Sequence, residues 1–225
     1  MDFSEINPIF ALHLIKMKTE SYNLNGKEIN IPIPESYKDC MMLIKSDRYR
    51  LSGKTESSVS IILKVLKPFS SCSTILFWLR LSQYRGWLHP ICRKMYRRVS
   101  LKYQIQIPAC TKIGYGFYIG HETCMVVNGG TVIGNNVNLS QFLSIGTNHE
   151  TPAIIGDNVY IGPHVSIVED VKIGSNSTIG AGAVVTKDVP ENATVTGVPA
   201  MVLNYNSPGR YINNRWSTPR CKNGD

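Results

Sequence analysis

The chain has 225 residues, 43% of them hydrophobic, with six cysteines and a formal charge of +8. That length holds one large domain or two small ones, and the apolar content excludes a disordered chain. Widely scattered cysteines with no C-x-x-C pair argue against a zinc site and against a disulfide framework, so no metal is expected.

Residues 1–56 carry no recognisable chemistry. Asn7 to Leu12 has the character of a helix start, and Gly26 to Pro34 is expected to be an extended loop. Asp2 and Glu5 replace the basic region of a secretory signal, so none is expected, and the chain reads as cytoplasmic. From Ser57 to His121 there is no Asp or Glu, whereas ten Lys or Arg interleave with Phe69, Trp78, Trp87 and many aliphatic residues. Periodicity predicts helices over about 71–84 and 89–102, with Gly86 and Pro90 at the joint. Three readings of this basic aromatic segment stay open: core helices with a solvated face, peripheral contact with the inner face of a membrane through residues 57–104, and nucleic-acid binding. No recognition motif accompanies the charge, so nucleic acid is not expected as a partner.

From Ile107 an aliphatic residue recurs every sixth position, at Ile133, Leu139 and Ile145, then at Ile155, Ile161, Ile167, Ile173, Ile179 and Val185. A helix spaces apolar residues by three or four and a paired strand by two. Period six instead fits a triangular coil of short strands joined by bends, with three hexads to a turn and about five turns in this run. Gly and Asn (Asn135, Asn136, Asn158, Asn176) are expected to relax the bends. The fold class is therefore mainly β, a parallel β-helix over 105–203, preceded by a mostly helical region over 1–104 and followed by a loosely ordered extension over 204–225. The one clear break in the beat, Gly146 to Ile154, is an inserted loop holding His149, and an insertion bearing a histidine is a site candidate.

The run from Ile155-Gly156 to Gly197-Val198-Pro199-Ala200 resembles the hexapeptide-repeat acyltransferases, which fold as left-handed β-helices. Tyr118-Ile119-Gly120-His121-Glu122-Thr123 is similar to the histidine-bearing coil of serine acetyltransferases and of their relatives in surface-glycan pathways. The resemblance implies a homotrimer, acetyl-CoA as donor and a hydroxyl as acceptor. It makes His121 the base that takes the hydroxyl proton, a task suited to imidazole near neutral pH. It gives His149 a rival claim, as base or as acceptor ligand. It lays the pantetheine arm of the donor against Gly162, Gly180, Ala181 and Thr186, with Lys187 meeting a phosphate. His164 falls in a regular hexad and reads as a surface residue.

Two departures bear on the acceptor. Serine acetyltransferases carry Asp directly before the catalytic histidine and another carboxylate upstream; here those positions are Gly120 and, near enough, Gln106. Glu122 is left as the candidate to orient the imidazole. These departures favour a sugar hydroxyl in surface-polysaccharide synthesis as acceptor, with serine as the alternative and a non-catalytic trimeric scaffold as a remote one.

Overall fold

A computed structural model describes residues 16–66, 74–148, 151–168 and 170–217. The helix start foreseen at Asn7 lies outside them. The fold is a left-handed parallel β-helix with a helical region before it. Two- and three-residue strands stack in three parallel sheets, each rising through four or five rows. The first face runs from Ile105–Gln106 through Met125–Val127, Ser144–Ile145 and Ser166–Ile167 to Val184–Val185. The second face has Lys112–Ile113, Val132–Ile133, Ile154–Ile155 and Lys172–Ile173. The third has Tyr118–Ile119, Asn138–Leu139, Tyr160–Ile161, Thr178–Ile179 and Thr194–Thr196, to which Met201–Asn204 adds antiparallel.

The residue that sets the six-beat faces inward in every row. Ile119, Leu139, Ile161 and Ile179 stack in register on one face, and Ile113, Ile133, Ile155 and Ile173 on another, all buried. Burying each such side chain contributes about 1.5–3 kcal/mol, so the column of aliphatics is the main cohesive term.

Gly and Asn divide the work at the bends differently from expectation. The left-handed backbone falls on Asn136, Asn158, Asn176 and Asn192. Their amides form a ladder, Asn158 donating to Asn176 at 3.1 Å and Asn176 to Asn192 at 3.3 Å. The glycines that follow the isoleucines of the second face are there for space. A Cβ on Gly134 would lie 2.4 Å from the Gly156 carbonyl oxygen, and one on Gly174 would lie 2.4 Å from the Glu191 nitrogen. Close stacking of the coils thus excludes any side chain at that corner.

The N-terminal region is not only helical. A hairpin of β1 (Thr19–Leu24) and β2 (Lys27–Pro32) precedes the helices, and its second strand occupies the stretch expected to be a loop. Ile29 and Ile31 alternate inward and, with Leu24, pack on Val132 of the second face, while Lys112 pairs with Glu20 at 3.0 Å. Helices follow at α1 (Tyr37–Ser52), α2 (Ser58–Leu66), α3 (Thr74–Gln83) and α4 (His89–Tyr103). Ser36 caps α1 by accepting from the Asp39 N–H, and Gly53 closes it in a left-handed turn. Ile75, Leu76, Leu79 and Tyr96 join the core of the β-helix and cover its open first coil.

A buried ion pair locks this cover in place. Arg80 of α3 donates to both carboxylate oxygens of Asp47 on α1, at 2.8 and 3.0 Å, and to the carbonyls of Ile113 and Gly114. Asp47 also accepts from the Phe117 N–H at 2.7 Å. No helix among the described residues is long and apolar enough to cross a membrane.

The segment after Asn204 is an ordered strap as far as it is described, not a loose extension. Trp216 is 1% exposed and packs against Met42, Leu43 and Tyr49. The Asn136 side chain donates to the Trp216 carbonyl and accepts from its N–H, both at 2.9 Å. Gly209 donates its N–H to the Asn176 carbonyl, and Asn138 donates to the Tyr211 carbonyl.

Candidate active site

His121 stands exposed at the corner where the third face turns into the first, on the first coil. The local chain is unusual there. Ile119 is in register with Leu139 and Val127 with Ile145, so eight positions on the first coil match six on the second. The two extra residues swell the corner, and His121 itself takes a left-handed backbone with φ 53°. Histidine tolerates that region better than bulky residues, and backbone of this kind collects at functional sites. The spacing from Ile119 to Val127 was the signal for this bulge in the sequence, though the looser beat of the early coils hid it.

The His121 ring lines a cleft of about 380 Å³ on the outer side of the third face. Tyr118, Asn138 and Tyr160 point outward from successive strands, and Tyr211 and Asn213 of the strap with Arg50 of α1 close the other side. Arg50 is spent on structure: it donates to the Asn213 carbonyl at 2.8 Å, the Gly116 carbonyl at 2.8 Å and the Asn138 side chain at 2.7 Å. Burial pushes its guanidinium down to about 10, which leaves it charged at neutral pH. The rings of Tyr160 and Tyr211 lie 4.9 Å apart, tilted by 52°. Among the described residues no carboxylate lines this cleft.

Among the described residues the His121 ring makes no hydrogen bond to Glu122, whose side chain is buried beneath the corner. Gln106 lies on the outer side of the first face and lines a different cleft. His149 lies outside the described residues.

The donor-strip candidates divide between the two edges of the first face. Gly162, Gly180 and Ala181 lie on the same corner as His121, in later coils, and Thr186 and Lys187 lie past the far edge of the last strand. Ala181, Thr186 and Lys187 are exposed, and Lys187 has no ion-pair partner among the described residues. A Cβ on Gly162 would come 2.9 Å from the Ala181 nitrogen, and one on Gly180 would come 3.0 Å from the Thr196 hydroxyl. Coil stacking therefore accounts for glycine at both positions. His164 is exposed on that corner too, its ring stacked on Phe142 at 4.8 Å.

Residues 152–187 match the family model described as bacterial transferase hexapeptide (six repeats). A serine acetyltransferase of Buchnera aphidicola (Schizaphis graminum) is 28% identical over 189 residues, covering 72% of each chain. The chain thus carries a hexapeptide-repeat segment and is similar to serine acetyltransferases in sequence and fold.

The serine acetyltransferase of Escherichia coli K12 is 33% identical over 110 residues, 47% of this chain and 40% of that one, so the match spans well under half of that relative. Among solved structures, soybean serine acetyltransferase complexed with serine superposes with a TM-score of 0.55 at 28% identity, covering 76% of this chain and 70% of that one. The enzyme from Brucella abortus strain S19 gives 0.60 at 24% identity, with 77% and 70% covered, and speaks for the fold alone.

Proposed function

We propose that the chain is an acetyl-CoA-dependent O-acetyltransferase in which His121 is the general base. The observation that carries this reading is an exposed histidine at an enlarged corner of the first coil, opening on a polar cleft. The neutral imidazole takes the proton of the acceptor hydroxyl as the oxygen attacks the thioester carbonyl. CoA leaves as the thiol, and the imidazolium returns its proton to the departing sulfur. The donor lies along the first face, its thioester at His121 and its phosphates near Lys187, an exposed lysine after the last row. As in the resembled family, the working unit is a homotrimer.

Serine is the acceptor named by the relatives, and it is the first reading. One feature favours a second, a sugar hydroxyl of a surface polysaccharide. An amino-acid acceptor brings an ammonium group that calls for a carboxylate, and the cleft at His121 presents tyrosines and amides instead. Release of CoA thiol by the purified protein distinguishes them. Turnover with L-serine supports the first reading, turnover only with glycan acceptors supports the second, and no turnover with either, in the presence of bound acetyl-CoA, overturns acetyl transfer to both.

A further inference from the structure

A second cleft, larger than the first at about 630 Å³, opens between α3, α4 and the first coil. Its wall on α4 follows from the sequence. His89, Arg93 and Arg97 recur at every fourth position and so share one face of the helix. Arg85, from the turn between α3 and α4, adds a third guanidinium. The opposite wall is the first coil from Gln106 to Cys110.

The geometry of these walls is held independently of the arginines. The buried Tyr96 hydroxyl donates to the Ile107 carbonyl, and Ser100 donates to the Ile105 carbonyl, fastening α4 to the coil. Gln83 donates to the Thr111 carbonyl at 3.1 Å and fixes the end of α3.

Three observations give the cleft its chemistry. Among the described residues no carboxylate lines it, and none occurs in the sequence anywhere between Ser57 and His121. Arg85, Arg93 and Arg97 have no ion-pair or hydrogen-bond partner among the described residues, whereas Arg48, Arg50 and Arg80 are each engaged. Like charges four residues apart repel and cost a helix stability, a cost that an anion held between them offsets. A cleft of this size suits a small molecule, and guanidinium forks match the oxygens of phosphate in pairs.

We propose that this cleft binds a phosphate or diphosphate ester through Arg85, Arg93 and Arg97. It shares no lining residue with the cleft at His121, and Gln106 lies on the first row of the first face whereas Lys187, placed at the donor phosphates, follows the last. Rows spaced about 4.8 Å apart put the two ends of that face roughly 19 Å from one another. The site stands without the acetyl-transfer reading, since binding is measured directly.

The test is calorimetric titration of inorganic pyrophosphate into the full chain. Wild type is expected to bind saturably, and more weakly as salt is raised. Arg93→Gln/Arg97→Gln, two exposed positions, is expected to lose at least about tenfold in affinity with an unchanged circular dichroism spectrum. Arg98→Gln, on α4 but outside the cleft, is expected to bind as wild type does. Absence of saturable binding, equal affinity in the double variant, or an equal loss in Arg98→Gln would each overturn the assignment. Displacement of pyrophosphate by saturating acetyl-CoA would overturn its separateness from the donor site.

A further arm separates the sources of the phosphate. Trp87, in the turn that holds Arg85, and Ile91, at the start of α4, are 82% and 58% exposed. Phosphatidylglycerol vesicles that bind wild type, release it to pyrophosphate and fail with the double variant place the phosphate on a lipid. Pyrophosphate binding without vesicle binding places it on a soluble ester.

Discussion

Replacing Arg80 by Met tests whether the ion pair under the first coil holds the N-terminal helices to the β-helix. Arg80 and Asp47 have side chains 0% and 1% exposed. The substitution removes two bonds to Asp47 and those to the Ile113 and Gly114 carbonyls. Asp47 is left buried with the Phe117 N–H as its remaining hydrogen-bond donor among the described residues. Breaking a buried pair by deleting one partner costs about 3–5 kcal/mol, because the surviving charge is stranded away from water. In a chain of this length each kcal/mol moves Tm by about 2–4 °C, so thermal unfolding should shift down by roughly 10 °C. Adding Asp47→Asn removes the stranded charge, and the double variant should recover at least about half of the loss. A loss below about 1 kcal/mol, or a double variant no better than the single, would refute the claim that this pair fastens the two parts.

The remaining expectations concern the site. His121→Asn should lower kcat by about two to four orders of magnitude with an unchanged unfolding curve, and near-normal turnover would move the base to His149. Lys187→Ala should raise KM for acetyl-CoA more than KM for the acceptor, and an equal effect on both would remove it from the donor phosphates. Trp216→Ala should cost about 3–5 kcal/mol and speed proteolysis of the strap, since the indole is the strap's buried anchor; an unchanged cleavage rate would deny it that role.

Much of the architecture was legible because a coil that repeats must repeat its inward residue. The six-beat from Ile133 to Val185 gave the stacked rows, and the helices expected over 71–84 and 89–102 match those at Thr74–Gln83 and His89–Tyr103 where described. The hairpin was missed because Pro32 and Pro34 mask a short alternation of Ile29 and Ile31, whose partner surface, Val132, lies a hundred residues away. The strap was missed because its polar composition resembles a free tail, while the groove that takes Trp216 is assembled from α1 and the Asn136 corner.

What the sequence determines by itself is local: period, inward residue, helix face and the charge on that face. Those follow from backbone geometry, which imposes the same spacing wherever the chain goes. His121 as a candidate was readable by likeness, and the fourfold spacing of His89, Arg93 and Arg97 by arithmetic. What tertiary structure alone decided is which surfaces face each other. Arg50 reaches the strap and the third face together, Gln106 sits in the basic cleft and not beside His121, and Arg80 finds Asp47 across two helices. Such pairings join residues tens to more than a hundred positions apart, and nothing in local geometry encodes them; they are selected only when the whole chain packs and each buried polar group must find a partner.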